Sequence, residues 1–165
     1  MKYFIDIDGV IRNFTDSIRR YPGLENLPCD KWQRLPNDLW RDMDRNPKFY
    51  LYDCEHYQKM VDFINIILRL ENCVFLTNQC RIPQREYWTV KFIEKIFGKR
   101  QLVLFTGNFQ EKVDILKYNE SFKLFDDYPF FHEKEGFEEI ADRIVLVDQP
   151  WNKNDQHKYE NILSL

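Results

Sequence analysis

Two acidic residues, Asp6 and Asp8, are separated by one residue at the end of a short apolar run near the start of the chain, just before Gly9. Side chains at positions i and i+2 of a strand point to the same face, so the two carboxylates are expected to converge. Paired carboxylates repel each other and usually need a cation or a shared proton. The pair therefore predicts acid–base or cation chemistry, although two turn or helix-capping acids would have the same spacing.

Polar residues also follow other apolar runs, namely Thr77 and Asn78 after one run and Asp126 and Asp127 after another. Lys112 stands shortly before the second of these runs. Phosphoryl transfer uses such a set: one carboxylate attacks phosphorus and a second moves protons. Magnesium prefers oxygen ligands, and hydroxyl and lysine donors stabilise the charge on the phosphoryl oxygens. The set predicts phosphoryl-transfer chemistry.

Short apolar runs with helical patterns between them must position these residues. The predicted strands are the run from Tyr3 to Asp8 and the runs at 73–76, 102–105, 122–125 and 144–147. Helical spacing predicts helices at 57–70, at 85–97 before Gly98, at 111–118 and at 137–141. Alternating strands and helices indicate an α/β fold with a parallel sheet, here of five strands, whose polar strand ends gather at one edge.

The interval between the first strand and the helix at 57 is too long for a simple crossover. Its amphipathic pieces at 16–21, 30–35 and 37–44 are separated by prolines. We interpret residues 15–56 as a small helical cap over the sheet edge. Residues 1–14 and 57–165 then form the catalytic core.

Composition excludes several classes of protein. Lys and Arg number 24 against 27 Asp and Glu, and the net charge of −3 argues against a strongly cationic nucleic-acid binder. The most apolar stretch, at 63–68, is far shorter than the roughly 20 residues of a membrane span. The sequence shows no export signal, so we expect a cytoplasmic protein with free thiols. Isolated His and Cys residues disfavour zinc.

The motifs around Asp6, Thr77, Lys112 and the acidic pair resemble, in this order, those of the haloacid dehalogenase superfamily of phosphohydrolases. The resemblance implies a Rossmann-like three-layer αβα core with a small cap. It implies that Asp6 is the nucleophile, that Asp8 is the general acid and base, and that Mg²⁺ is the cofactor. The implied phosphate-binding residues are Thr77, Asn78 and Lys112, with Lys99 as a rival lysine, and the implied metal ligands are Asp6, Asp8, Asp126 and Asp127.

Within the superfamily, residues 8–14, 48–50, 87–98 and 148–152 most resemble the 5'(3')-deoxyribonucleotidases. That likeness implies hydrolysis of nucleoside monophosphates, with base contacts from Phe14 and from Phe49 or Tyr50. Arg12 departs from the family pattern. Its side chain could contact a second phosphate, a carboxylate or a base carbonyl, or it could point to solvent. Near the end of the chain, Trp151 and Asn152 are expected mainly to close the packing.

Other functions remain open from the sequence. A phosphatase of the same chemistry could act on a polynucleotide 3'-phosphate or a sugar phosphate, and a nucleotide-binding module could keep the fold without catalysis. The expected partner is a small nucleoside monophosphate rather than a polynucleotide or a membrane, and a homodimer stays open.

Overall fold

A parallel six-stranded sheet forms the centre of the molecule. The computed structural model describes residues 2–27 and 35–164. Its strands are β1 (Lys2–Ile5), β2 (Asn72–Asn78), β3 (Val103–Thr106), β4 (Phe122–Asp126), β5 (Ile144–Val147) and β6 (Asn161–Leu163). They lie in the order β3-β2-β1-β4-β5-β6, with all neighbours parallel. The sequence predicts five of these strands and misses β6, whose three residues are too few to show a pattern.

The helices follow the predicted periodicity closely. They are α1 (Phe14–Arg19), α2 (Asn37–Arg45), α3 (Pro47–Leu51), α4 (Gln58–Leu70), α5 (Pro83–Phe97) and α6 (Phe109–Tyr118). The helix predicted at 137–141 is instead a pair of 3-10 turns, Phe137–Glu139 and Ala141–Arg143. The piece predicted at 30–35 lies outside the described residues except for Leu35. In the described ranges, no helix is long and apolar enough to cross a membrane.

The sheet is covered on both faces, which gives the three layers expected from the sequence. Adjacent strand residues point to opposite faces. Ile5 belongs to a buried cluster that includes residues of α4 and α5, and Phe4 belongs to a second cluster that includes residues of α6 and the 3-10 turns. Burial on both faces explains why most strand residues are apolar in continuous runs rather than in alternation.

The helices of the predicted cap share an apolar cluster of their own. Its buried members are Phe14, Ile18, Leu39, Met43, Tyr50 and Leu51. Arg85 of α5 joins this layer to the core, since its Nε donates to Asp44 Oδ1 at 2.6 Å and its guanidinium lies over Trp40. The division of the chain into cap and core at residues 15 and 56 stays a prediction.

Candidate active site

The central position of β1 sets which strand ends meet. In register, Ile5 pairs with Phe75 of β2 on one side and Phe125 of β4 on the other. Asp6 follows β1 directly, and its backbone N–H donates to the Phe125 carbonyl at 2.9 Å. The carboxyl ends of three adjacent strands therefore carry Asp6, Thr77 and Asp126 to the same edge of the sheet.

Lys112 is the cation of this edge. It lies in the first turns of α6 and is fully buried, with its Nζ 2.8 Å from Asp6 Oδ1 and 2.7 Å from Asp126 Oδ2. Loss of hydration opposes its charge, but attraction by Asp126 and Asp6 outweighs that loss and raises the pKa of Lys112 above its usual value. The rival Lys99 is exposed beyond the far end of α5.

Three buried carboxylates outnumber this one lysine. Ligand atoms of Asp6, Asp126 and Asp127 all lie within 4.8 Å of one another. Burial is the main cause that raises the pKa of Asp6 to about 7, with Asp126 and Asp8 adding repulsion against the opposing pull of Lys112. Burial, then Asp126 and Asp6, also raise the pKa of Asp127 well above its usual value. An all-oxygen donor set with excess negative charge fits a magnesium ion.

Asp8 lies apart from this buried cluster, and both of its carboxylate oxygens accept hydrogen bonds. Arg12 Nη1 donates to Oδ1 at 2.7 Å, and Gln79 Nε2 donates to Oδ2 at 2.6 Å. The Asp8 side chain is partly exposed, at 18%, and lines the same cavity as Asp6. Asp8 therefore faces the open cavity. Gln79 was not among the sequence-predicted site residues, although it directly follows Asn78.

Asp127 is held by residues near the end of the chain. Trp151 Nε1 donates to Asp127 Oδ2 at 2.8 Å, and Asn152 Nδ2 donates to the Asp127 carbonyl at 3.0 Å. Gln149 Nε2 donates to the Gly9 carbonyl at 2.6 Å. Trp151 and Asn152, which were expected mainly to close the packing, therefore also hold Asp127. The only sequence signal for this was the likeness of 148–152 to the nucleotidases.

The segment after β2 carries hydroxyl and amide groups into the site. Thr77 Oγ1 is buried and has no hydrogen-bond partner among the described residues, so it is available to an oxygen ligand. The Asn78 side chain accepts from the backbone N–H of Cys80 at 3.2 Å. Cys80 and Arg81 have φ values of 51° and 54°, which is uncommon for residues other than glycine. Such backbone is found at functional sites where the surroundings hold it in place.

A cavity of about 590 Å³ opens above these groups. The polar part of its lining includes Asp6, Asp8, Thr77, Asn78, Lys112 and Asp127. Aromatic rings form much of the rest, namely Phe14, Trp40, Phe109, Tyr128, Phe130 and Trp151. Phe109 and Tyr128 stack with centroids 3.7 Å apart and planes 5° from parallel. The cavity thus joins a charged floor to flat apolar walls.

The predicted substrate contacts divide on this geometry. Phe14 lines the cavity, whereas Phe49, Tyr50 and Arg12 are absent from its described lining. Tyr50 is buried inside the cap, where its hydroxyl donates a hydrogen bond to Asp42. The neighbouring Phe49 points outward, is 44% exposed and lies against the Arg20 guanidinium. Arg12 is fully buried and pairs with Asp8. Its contact is therefore with a carboxylate of the protein itself.

No protein-family model matches the chain, and no curated protein is similar to it in sequence. Among solved structures, it resembles the crystal structure of D,D-heptose 1,7-bisphosphate phosphatase from Burkholderia thailandensis. The TM-score is 0.55 at 11% identity, over 99% of this chain and 90% of that one. The likeness confirms the Rossmann-like α/β fold that the sequence predicts, with six strands in place of five.

Proposed function

We propose that this chain is a magnesium-dependent phosphomonoester hydrolase acting on nucleoside monophosphates, that is, a 5'(3')-nucleotidase. The observation that carries the proposal is the meeting of Asp6, Asp8, Thr77 and Lys112 on the floor of one aromatic-walled cavity. The fold it shares with a protein named as a phosphatase supports the reaction class.

The chemistry follows from the placement of two carboxylates. Asp6 attacks phosphorus and forms an aspartyl-phosphate while the bond to the leaving oxygen breaks. Asp8 protonates that oxygen and then takes a proton from the water that hydrolyses the intermediate. Lys112, 2.8 Å from Asp6, favours the ionised form of that carboxyl and so opposes the effect of burial. The Thr77 hydroxyl donates to a phosphoryl oxygen and stabilises its charge.

Residues for the metal are also at hand. Asp6 and the Asp126–Asp127 pair would hold Mg²⁺ with their carboxylates. The resemblance to the haloacid dehalogenase superfamily implies that the backbone carbonyl of Asp8 would be a further ligand. When bound, the ion neutralises charge on the phosphate. Asp126 also bonds Lys112 and the backbone N–H of Tyr128, at 2.7 and 2.9 Å. Asp127, which bonds Trp151, is therefore the more available of the two.

The substrate class rests on the walls of the cavity. Flat aromatic rings bind planar apolar groups by stacking, and a nucleobase presents such a face. Phe14, Trp40 and Tyr128 stand above the charged floor, so a base can contact them while its phosphate reaches Asp6. A sugar phosphate is the second candidate, because the structurally similar protein is named for a heptose bisphosphate.

The test is phosphate release from nucleoside 5'- and 3'-monophosphates and from hexose and heptose phosphates, with magnesium or with a chelator. Asp6→Asn should abolish turnover. Asp114→Asn, an exposed acid on α6, serves as the matched control and should keep wild-type activity. Magnesium-dependent release from nucleotides supports the proposal. Phosphate release from sugar phosphates alone would favour the second candidate substrate. Tight nucleotide binding without phosphate release would identify a binding module.

A further inference from the structure

Each carboxylate oxygen of Asp8 accepts a hydrogen bond from a different part of the chain. Arg12 lies four positions further along the chain and donates to one carboxylate oxygen, and Gln79 follows β2 and donates to the other. We propose that Arg12 and Gln79 are positioning residues that fix the direction of the Asp8 carboxyl group for proton transfer. This inference rests on the phosphohydrolase function proposed above and deepens it.

Arg12 is itself immobilised, which a positioning role requires. It is fully buried, its Nη2 donates to Thr89 Oγ1 at 3.0 Å, and its guanidinium lies 4.8 Å from the Phe92 ring centroid. Its backbone N–H donates to the Ile7 carbonyl at 2.8 Å. Thr89 and Phe92 both belong to α5, so the charged group that holds Asp8 is anchored on the core of the protein.

The direction of the Arg12 side chain indicates that it positions Asp8 rather than binding substrate. Its two donating nitrogens are directed to Asp8 and Thr89, and Arg12 is absent from the described lining of the cavity. A buried arginine needs a partner for its charge, and Asp8 supplies it. Gln79 does line the cavity, but its amide is directed to Asp8 at 2.6 Å.

A positioning role predicts which substrates are hydrolysed more slowly when the hydrogen bonds to Asp8 are removed. In the first step, the Asp6 oxygen bonds to phosphorus, the bond from phosphorus to the leaving oxygen breaks, and the proton of Asp8 passes to that oxygen. In the second, water attacks phosphorus, gives a proton to Asp8, and inorganic phosphate leaves Asp6. A weakly acidic leaving group needs the proton in the first step, whereas a strongly acidic phenol departs without it.

The experiment measures kcat/KM for a series of substituted phenyl phosphates, because this constant reports the first irreversible step. The variants are Gln79→Met and Arg12→Met, each removing a donor at nearly constant volume. Arg20→Met is the matched control. Arg20 also pairs with an aspartate four positions away, at 2.9 Å, but on the partly exposed surface of the cap. Thermal unfolding checks that each variant is folded.

We expect both test variants to lose about tenfold or more in kcat/KM on the poorest leaving group, a part of the 10²–10⁴-fold that proton transfer contributes. On the best leaving group the loss should be less than about threefold, and Arg20→Met should show the wild-type dependence. Gln79→Met decides the matter if Arg12→Met fails to fold. Equal losses of kcat/KM across the series, or none, would overturn the inference.

A crystal structure of Gln79→Met tests the inference without an activity assay, because it shows the position of the Asp8 carboxyl group. We expect the Asp8 carboxyl group to rotate away from its wild-type position, with Asp6 unmoved. If wild type hydrolyses no phosphomonoester, the proposed function fails, and this structure then decides the inference alone. An Asp8 that keeps its position shows that Gln79 does not position it and overturns the inference.

Discussion

Gly9 lies directly against the carboxylate of Asp127. A Cβ on Gly9 would overlap Asp127 Oδ2, and the backbone of Gly9 has a φ of +80°, which residues with a side chain rarely adopt. The turn between the two catalytic candidates and the helix α1 is therefore packed against the acidic pair at the end of β4. This contact is the physical reason for glycine directly after Asp8.

Replacing Gly9 by alanine should damage the site more than its backbone strain alone explains. We expect Gly9→Ala to lose activity by about 100-fold, because displacing catalytic groups by about 1 Å costs that much. Its stability should fall by roughly 2–3 kcal/mol through strain and the displaced carboxylate. Steady-state kinetics and thermal unfolding measure the two effects.

Gly23 provides the matched control for this substitution. It also has a positive φ, +87°, but a Cβ there would meet no atom within 4 Å. Gly23→Ala should therefore cost only the left-handed backbone penalty of about 1–2 kcal/mol and leave activity unchanged. Equal effects of the two substitutions would show that the contact with Asp127 has no functional weight.

Most of the fold was predictable because strand ends and helix faces leave local patterns. The strand at 144–147 matches its predicted bounds, and α5 ends before Gly98 as predicted. The strand β6 leaves no such pattern, and Phe137–Ala141 is too short to distinguish an α-helix from 3-10 turns. Local periodicity thus fails where an element is three to five residues long.

Part of the candidate site was predictable because its residues sit at strand ends, and Lys112 and Phe14, which lie on helices, were predicted from the order of the motifs and the family resemblance. Asp6, Thr77 and Asp126 share an edge because parallel strands place their carboxyl ends together. The contact between Gln79 and Asp8 spans 71 positions and depends on the path of the chain after β2, which no local pattern records. Phe49 and Tyr50 were predicted as alternative base contacts, but helical geometry turns Phe49 outward and Tyr50 into the cap.

Phe14 and Phe49 should differ in their effect on substrate binding. We expect Phe14→Leu to raise KM for a nucleoside monophosphate by about 5- to 12-fold, since losing a stacked ring costs about 1–1.5 kcal/mol. Phe49→Leu should leave this KM unchanged because Phe49 lies outside the described cavity lining. Inhibition by inorganic phosphate should be the same in both variants. A raised KM in Phe49→Leu alone would contradict this assignment of the cavity.

Trp151 should control metal affinity through Asp127. Trp151→Phe keeps an aromatic ring but removes the N–H that donates to Asp127 Oδ2. Loss of a partner that orients a metal ligand typically weakens metal binding by about 10–100-fold. Titration calorimetry with Mg²⁺ measures the affinity, and Trp88→Phe, on α5 where it packs against the cap cluster, is the control. Equal affinities of Trp151→Phe and wild type would remove Trp151 from the site.

The stability of the metal-free protein should depend on Asp6 with a definite sign. Burial raises its pKa to about 7 in the folded protein, against about 4 in the unfolded chain. Between these values the folded state retains a proton that the unfolded state has lost, so stability falls as the pH rises. Each pKa unit corresponds to about 1.4 kcal/mol. Asn does not titrate, so Asp6→Asn should gain stability relative to wild type from pH 4 to 7.

Asp148→Asn is the control of opposite sign. The hydrogen bond from Lys153 is the main cause that lowers the pKa of Asp148, so its contribution to stability is present above the unfolded value and is lost as the pH falls. Thermal unfolding of the three proteins between pH 3 and 8 gives both slopes. Magnesium needs ionised carboxylates and should therefore raise the Tm of wild type more at pH 8 than at pH 5. A difference between Asp6→Asn and wild type that is constant across this range would show that Asp6 is not the buried, proton-retaining carboxyl of the site.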